Sequence, residues 1–423
     1  MKIKSLHARF ILDSRGYPAV ECILTDQEGR MVAASVPSGA SVGVHEALEL
    51  RDGDPKHFAG KGVSKAINNL NIEIAKALCG READVIQLDK ILIALDGTEN
   101  KSRLGANAIL AASMAVIRLQ ALDAGLELFE CINKLWHFPE PKLPTCLFNV
   151  INGGMHASSG LWVQEFMIIP KQQVFSQSLE TACVIYHALH KKLKVMGLQT
   201  TIGDEGGFAP VFGLRGLENE HRALDVLIEI IKQERLENFV TLGLDVAASH
   251  SFDKQTGQYQ VYDKSLSSTD LIAFYQKAQH SYPLTSIEDG LGEDDWDGWK
   301  KLTQAMGVSC QLVADDLFVT NPKRIEQGIV QKVANAVLIK PNQIGTVSQT
   351  MQAILCCQKA GYSVIISHRS GETNDTFIAD LAVGSSAGQL KAGAPARGER
   401  IAKYNRLLEI EGALHKKGKG EVV

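Results

Sequence analysis

The sequence predicts an α/β chain in which a barrel of parallel strands fills the C-terminal two-thirds, preceded by a smaller α+β domain. Three observations carry the prediction. Six short apolar runs, at 240–245, 283–289, 311–316, 336–340, 364–368 and 389–391, each end in a charged or polar side chain. Most are separated by a segment long enough for a helix, which reads as parallel strands joined by helical crossovers. Residues 1–135 lack this alternation and show short strands around turns, followed by helices.

In chain order, 3–12 reads as a strand, and 20–24 and 31–36 as two more flanking the turn Asp26-Gln27-Glu28-Gly29. Val63, Ile67, Leu70, Ile74 and Leu78 recur at helical spacing, with Gly80 as the stop. The stretch 107–122 is apolar nearly all round, as expected of a helix buried between layers. Three prolines within 138–144 mark a linker, dividing the chain into an N-terminal domain of 1–135 and a barrel of 136–423. Strands follow at 146–151 and 166–169, then a helix over 177–196, and the alternation runs to a last helix near residue 412. The lysine-rich tail from His415 is expected to fray.

The bulk numbers narrow the function classes. With 423 residues, 45% hydrophobic and 22% charged, the composition is that of an ordinary globular protein. A net charge of −4 argues against electrostatically driven nucleic-acid binding, so an anionic ligand must be held by placed cations and metals. The eight cysteines show no zinc spacing, and reduced thiols in that number fit a cytoplasmic location. Neither a signal peptide nor a membrane span is expected from the apolar runs.

Chemistry sits at the C-terminal ends of strands in a parallel barrel, because the connecting loops converge there. Asp245, Glu288 and Asp315 close three successive runs, a set of oxygen donors suited to Mg²⁺. One acid after a strand is more often a helix cap, but three in succession weaken that reading. Lys340 and Lys391 end two further runs, and burial beside positive charge would depress a lysine toward use as a base. Glu205 lies in Gly203-Asp-Glu-Gly-Gly207, and Glu165 follows Gln164 after the loop carrying His156. Two glutamates sharing a site would repel, raising one so that it serves as an acid. His368-Arg369-Ser370 offers an arginine, a hydroxyl and free N–H groups, a natural phosphate cradle. A structural ion pair is the alternative reading of Arg369 taken alone. The small-residue loop 37–43, with Ser41, is suited to moving over a ligand. His187 and His190 lack a zinc-protease frame, and Trp296 and Trp299 read as helix packing.

These segments resemble the enolases, and the resemblance runs from end to end. It is carried by D-S-R-G-x-P at 13–18, P-S-G-A-S-x-G at 37–43, E-A-L-E-L-R-D-G-D at 46–54 and K-S-R-L-G-A-N-A at 101–108. It continues through N-G-G-x-H-A at 152–157, Q-E-F-M-I at 164–168, G-D-E-G-G-F-A-P at 203–210 and S-I-E-D at 286–289. A-D-D-L-F-V-T-N at 314–321, L-I-K-P-N-Q-I-G-T at 338–346, S-H-R-S-G-E-T at 367–373 and K-A-G-A-P-A-R at 391–397 complete it.

The resemblance implies a TIM-like eight-stranded barrel with irregular first strands, an N-terminal α+β domain, and a homodimer or higher homo-oligomer. It implies reversible, Mg²⁺-dependent dehydration of 2-phospho-D-glycerate to phosphoenolpyruvate through a metal-stabilised carbanion. Asp245, Glu288 and Asp315 are similar to the ligands of one Mg²⁺, and Ser41 to part of a second site, with Mn²⁺ a possible substitute. Lys340 is similar to the base at C2, and Glu205 to the acid at the C3 hydroxyl with Glu165 beside it. Lys391 and Gln164 resemble contacts around the substrate carboxylate, Arg369 and Ser370 the phosphate clamp, and His156 and His368 flanking substrate residues. Tyr17, Val42, Met155, the 158–162 run with Trp162, and His250 depart from the usual pattern without removing a ligand, acid or base. The alternatives are an acid-sugar dehydratase or racemase, disfavoured by the phosphate clamp, and an enolase-like binding or surface protein with weak or no activity.

Overall fold

The computed structural model describes residues 1–39, 43, 45–416 and 418. Ser41, Val42 and most of the tail beyond residue 416 lie outside the described residues.

The N-terminal meander is as expected. Strands β1 (Ile3–Leu12), β2 (Pro18–Asp26) and β3 (Met31–Ser35) form an antiparallel sheet in that order. The Asp26 carboxylate closes the β2–β3 turn by accepting the N–H groups of Glu28 and Arg30 at 2.8 and 2.9 Å. The helix expected after Val63 is not regular. Its middle, Leu70–Ile74, is a π-turn between Ser64–Asn69 and Ala75–Leu78. The widened turn sets Asn71 against edge strand β1, where its amide bonds both the N–H and the carbonyl of Ala8. Heptad-like spacing carries no sign of that tertiary contact. The apolar helix Ala106–Asp123 is buried on almost every face, as its composition demands.

The second unit is a closed barrel. Strands β4 (Thr145–Asn152), β5 (Glu165–Pro170) and β6 (Val240–Asp245) come first. A small sheet follows: β7 (Phe252–Asp253), β8 (Gln258–Val261) and β9 (Lys264–Leu266). Then come β10 (Leu284–Glu288), β11 (Gln311–Ala314), β12 (Ala336–Ile339), β13 (Ser363–Ser367) and β14 (Gly388–Lys391). The ring order is β10-β11-β12-β13-β14-β4-β5-β6. All neighbours are parallel except β5, which runs antiparallel to β4 and β6. The connection from β4 to β5 is too short for a helical crossover, so β5 returns alongside β4 in the opposite direction. Two helices, Phe175–Val195 and Glu218–Gln233, then fill the span to β6.

The reversed strand has a direct consequence for the rim. In every parallel strand the last residue lies at the loop-bearing mouth, whereas in β5 it is the first residue, Glu165, which pairs with Asp245 of β6. The N-terminal unit docks on the same mouth. Arg118 pairs with Asp375 at 2.6 Å, and Ser38 exchanges backbone hydrogen bonds with Gly371, both 2.9 Å. No single described helix is long and apolar enough to cross a membrane. The eight cysteines are all free, and Trp299 is buried in its helix as expected.

Candidate active site

The mouth holds a polar pocket faced by seven carboxylates and only three lysine or arginine side chains. Lys391, from the end of β14, is buried at its centre. Its Nζ lies 2.9 Å from Asp245, 2.8 Å from Glu288 and 3.2 Å from Glu165. Burial works against the ammonium, but these carboxylates outweigh it and hold Lys391 well above the usual lysine range. The same charge holds Asp245 below the usual carboxylate range despite burial.

Lys340 caps β12 and bonds Asp315 just beyond β11. Gln343 donates to the other Asp315 oxygen at 3.0 Å. The depressed lysine expected from burial is not what this pairing holds: burial pulls Lys340 down, but Asp315 with Glu288 more than restores it, so the group is raised. A cation that neutralised Asp315 would withdraw that support.

The other half of the pocket is built differently. Glu165 and Glu205 face each other across His156, whose Nδ1 is 3.7 Å from both. Asn149 of β4 donates to Glu205 Oε2 at 3.1 Å, and His368 Nε2 approaches the same oxygen at 3.4 Å. The glycines beside Glu205 are required by packing. Gly206 has φ +87°, and a Cβ on Gly207 would sit 2.6 Å from Asn152 Oδ1. Burial and the Glu205 charge push Glu165 well up. Burial would raise Glu205 too, but His368 and His156 outweigh it and hold it low. Of the two, Glu165 is therefore pushed toward holding a proton and Glu205 away from it, the reverse of what the proposed acid role of Glu205 would suggest. Burial, with the nearby Arg400 charge, lowers His368 to about 4, so its imidazole is neutral.

The remaining predicted residues are also here. Gln164 reaches Asp245 at 3.5 Å. Arg369 pairs with Glu46 at 2.9 Å and bonds Asn342 at 3.1 Å, so the ion pair given as its alternative reading is real. Ser370 is buried beside it on the pocket wall. Asp289 accepts the N–H groups of Asp315 and Asp316 at 2.9 and 3.0 Å, which fixes the turn after β11. Glu46, Asn149, Gln343 and Arg400 were missed as site residues. Only Asn149 carried a signal, a polar side chain inside an otherwise apolar strand.

The donor set fits a hard divalent cation. The pocket has excess buried negative charge, all its acidic donors are oxygens, and Asp245, Glu288 and Asp315 end adjacent strands β6, β10 and β11. The geometry adds a correction. Among the described residues, the groups of ligand atoms within 4.8 Å of one another are His156–Glu165–Glu205 and Asp289–Asp315–Asp316, not the expected trio. Lys391 stands between Asp245 and Glu288, and Lys340 engages Asp315, so cation binding must part these ion pairs.

Comparison with known proteins decides the family. Residues 3–132 match the model "Enolase, N-terminal domain", and residues 140–421 match "Enolase, C-terminal TIM barrel domain". The chain belongs to the enolase family. It is 50% identical over 420 residues to the enolase of Elusimicrobium minutum (strain Pei191), covering 98% of this chain and 97% of that one. It is 49% identical over 414 residues to the enolase of Tropheryma whipplei (strain Twist), covering 97% and 94%. Enolases are metal-dependent, and the acidic mouth of this member suits that dependence.

Proposed function

We infer that this enolase is a phosphopyruvate hydratase, the hydro-lyase that reversibly dehydrates 2-phospho-D-glycerate to phosphoenolpyruvate in glycolysis. The observation that carries the reading is the division of one pocket into a lysine half and a glutamate half. Lys340 ends β12 and Glu165 begins β5, four strands apart in a ring of eight, and so on opposite sides. A proton can leave one face of the substrate while the hydroxyl is protonated at the other.

Lys340 is proposed as the base at C2, and Glu205 as the acid at the C3 hydroxyl. Because burial and the Glu205 charge push Glu165 up, Glu165 is the proposed donor that recharges Glu205. Arg369 and Ser370 would clamp the phosphate, with Glu46 keeping the guanidinium aimed at the pocket. Lys391 and Gln164 would face the substrate carboxylate, flanked by His156 and His368. The proposed cofactor is Mg²⁺, two ions per site, the first held by Asp245, Glu288 and Asp315 and the second involving Ser41. When bound, it supplies the positive charge that a doubly ionised carboxylate requires. Mn²⁺ would suit the same oxygens.

Ultraviolet absorbance of the enol double bond, followed after mixing with 2-phosphoglycerate and Mg²⁺, tests this directly. A rise abolished by chelator and by Lys340→Ala supports the lyase and its base; no rise in folded, Mg²⁺-loaded protein would sink both. The gathering of Lys340, Glu205, Glu165 and Asp245 around one buried polar pocket supports catalysis over a binding role. A homodimer is proposed because Phe10 and Leu12 stand 52% and 56% exposed on edge strand β1. A domain division at 135/136 is supported by the ends of the two family matches. Cytoplasmic residence is supported by eight unpaired thiols.

A further inference from the structure

Arg400, in the first turn of the helix Gly398–Lys416, is fully buried below the glutamate half of the pocket. Its guanidinium spends its donors on two loops at once. Nη1 bonds His368 Nδ1 and the Arg369 carbonyl, both at 2.6 Å. Nη2 bonds the Ser370 carbonyl at 2.6 Å and the Asp204 carbonyl at 3.1 Å. The loop of the phosphate clamp and the loop of Glu205 are thus tied to one side chain.

The bond to His368 has a chemical consequence. A guanidinium has donors and no acceptor. His368 Nδ1 must therefore present its lone pair, and a neutral imidazole then carries its hydrogen on Nε2. That hydrogen faces Glu205 Oε2, which also receives the Asn149 amide. An oxygen that accepts one amide and has a second N–H aimed at it from 3.4 Å is a poor place for a proton. The other oxygen, Oε1, faces His156 and the Glu165 side.

We propose that Arg400 is a positioning residue for the reaction: it locks His368 as the Nε2–H tautomer and thereby confines the transferable proton of Glu205 to Oε1. From Oε1 the proton passes to the C3 hydroxyl, which departs as water and leaves Glu205 a carboxylate. The inference deepens the acid role proposed for Glu205 and rests on it. The depressed affinity of His368 for a second proton is consistent with a donor held against Nδ1.

Long-range proton–nitrogen spectra of the full-length enzyme labelled with ¹⁵N-histidine test it, with His368→Gln assigning the resonance. The expected wild-type pattern is a protonated Nε2 and a bare Nδ1. In Arg400→Met that asymmetry is lost and kcat falls by about 10–100-fold, the usual range for residues that orient a first contact. In a His368→Gln background the same change should cost little more, because the tautomer it protects is gone. A wild-type His368 protonated on Nδ1, an unchanged tautomer in Arg400→Met, or losses that multiply in the double variant would each overturn the proposal. If Arg400→Met fails to fold, the wild-type spectrum still decides. Turnover of Glu205→Gln tests the acid role separately, since the His368 spectrum of the wild-type enzyme does not depend on it.

Discussion

The two halves of the pocket balance buried carboxylates by different means. On the lysine half, Asp245, Glu288 and Asp315 are compensated by full charges, Lys391 and Lys340, at hydrogen-bond distance. On the glutamate half, Lys391 reaches only Glu165, at 3.2 Å, while Glu205 faces His156, His368 and Asn149, and the two glutamates are pushed in opposite directions. The first arrangement suits a site that exchanges an ammonium for a metal cation, because the carboxylates stay ionised either way. The second suits a site that moves a proton, because its charge is incompletely balanced. One barrel mouth thus keeps cation chemistry and proton chemistry apart by the partners given to each carboxylate.

The sharpest way to break this comparison is to remove one actor from each half. Lys340→Ala should abolish measurable formation of phosphoenolpyruvate, a loss of about 10³-fold or more, while circular dichroism stays native. Glu205→Gln should lower turnover by roughly 10²–10⁴-fold and leave metal affinity, read by calorimetric titration of Mg²⁺, close to wild type. Asp315→Asn should do the reverse, weakening Mg²⁺ by about 10-fold or more and restoring part of its activity at high metal. If Glu205→Gln disturbed metal binding as much as Asp315→Asn does, the separation into halves would be wrong.

A smaller effect concerns pH. His368 is held at about 4 in the fold against 6.5 for an ordinary histidine, so between those values the unfolded chain binds the proton that the folded one refuses. Stability should therefore be intact above about pH 6.5 and fall as pH drops toward 4, by roughly 3 kcal/mol from this group. Urea titrations of wild type and His368→Gln across that window should differ in slope, the variant being flatter. The smallest expected change lies outside both halves. Tyr262 bonds Glu220 at 2.9 Å and the Gly160 carbonyl at 3.0 Å, holding the atypical Trp162 loop. Tyr262→Phe should cost about 1 kcal/mol in stability and change turnover less than any variant above.

The sequence by itself determined the lysine half. Residues at the ends of parallel strands share one rim, so Asp245, Glu288, Asp315, Lys340 and Lys391 were legible from strand endings alone. It also determined the N-terminal meander and the buried helix, whose patterns are local. The tertiary structure decided the rest. Glu165 reaches the rim only because β5 is reversed, which places its first residue where the other strands place their last. Glu205 and His156 come from loops, whose approach no periodicity encodes, and sequence pattern offered them only as glycine-flanked motifs. Arg400 lies far along the chain in a helix, and nothing in its neighbours announces that four bonds tie it to the site. The π-turn at Asn71 and the upward push on Glu165 are likewise set by partners distant in sequence. Local pattern fixes which face a residue occupies, while charge balance and proton position depend on what the fold brings opposite it.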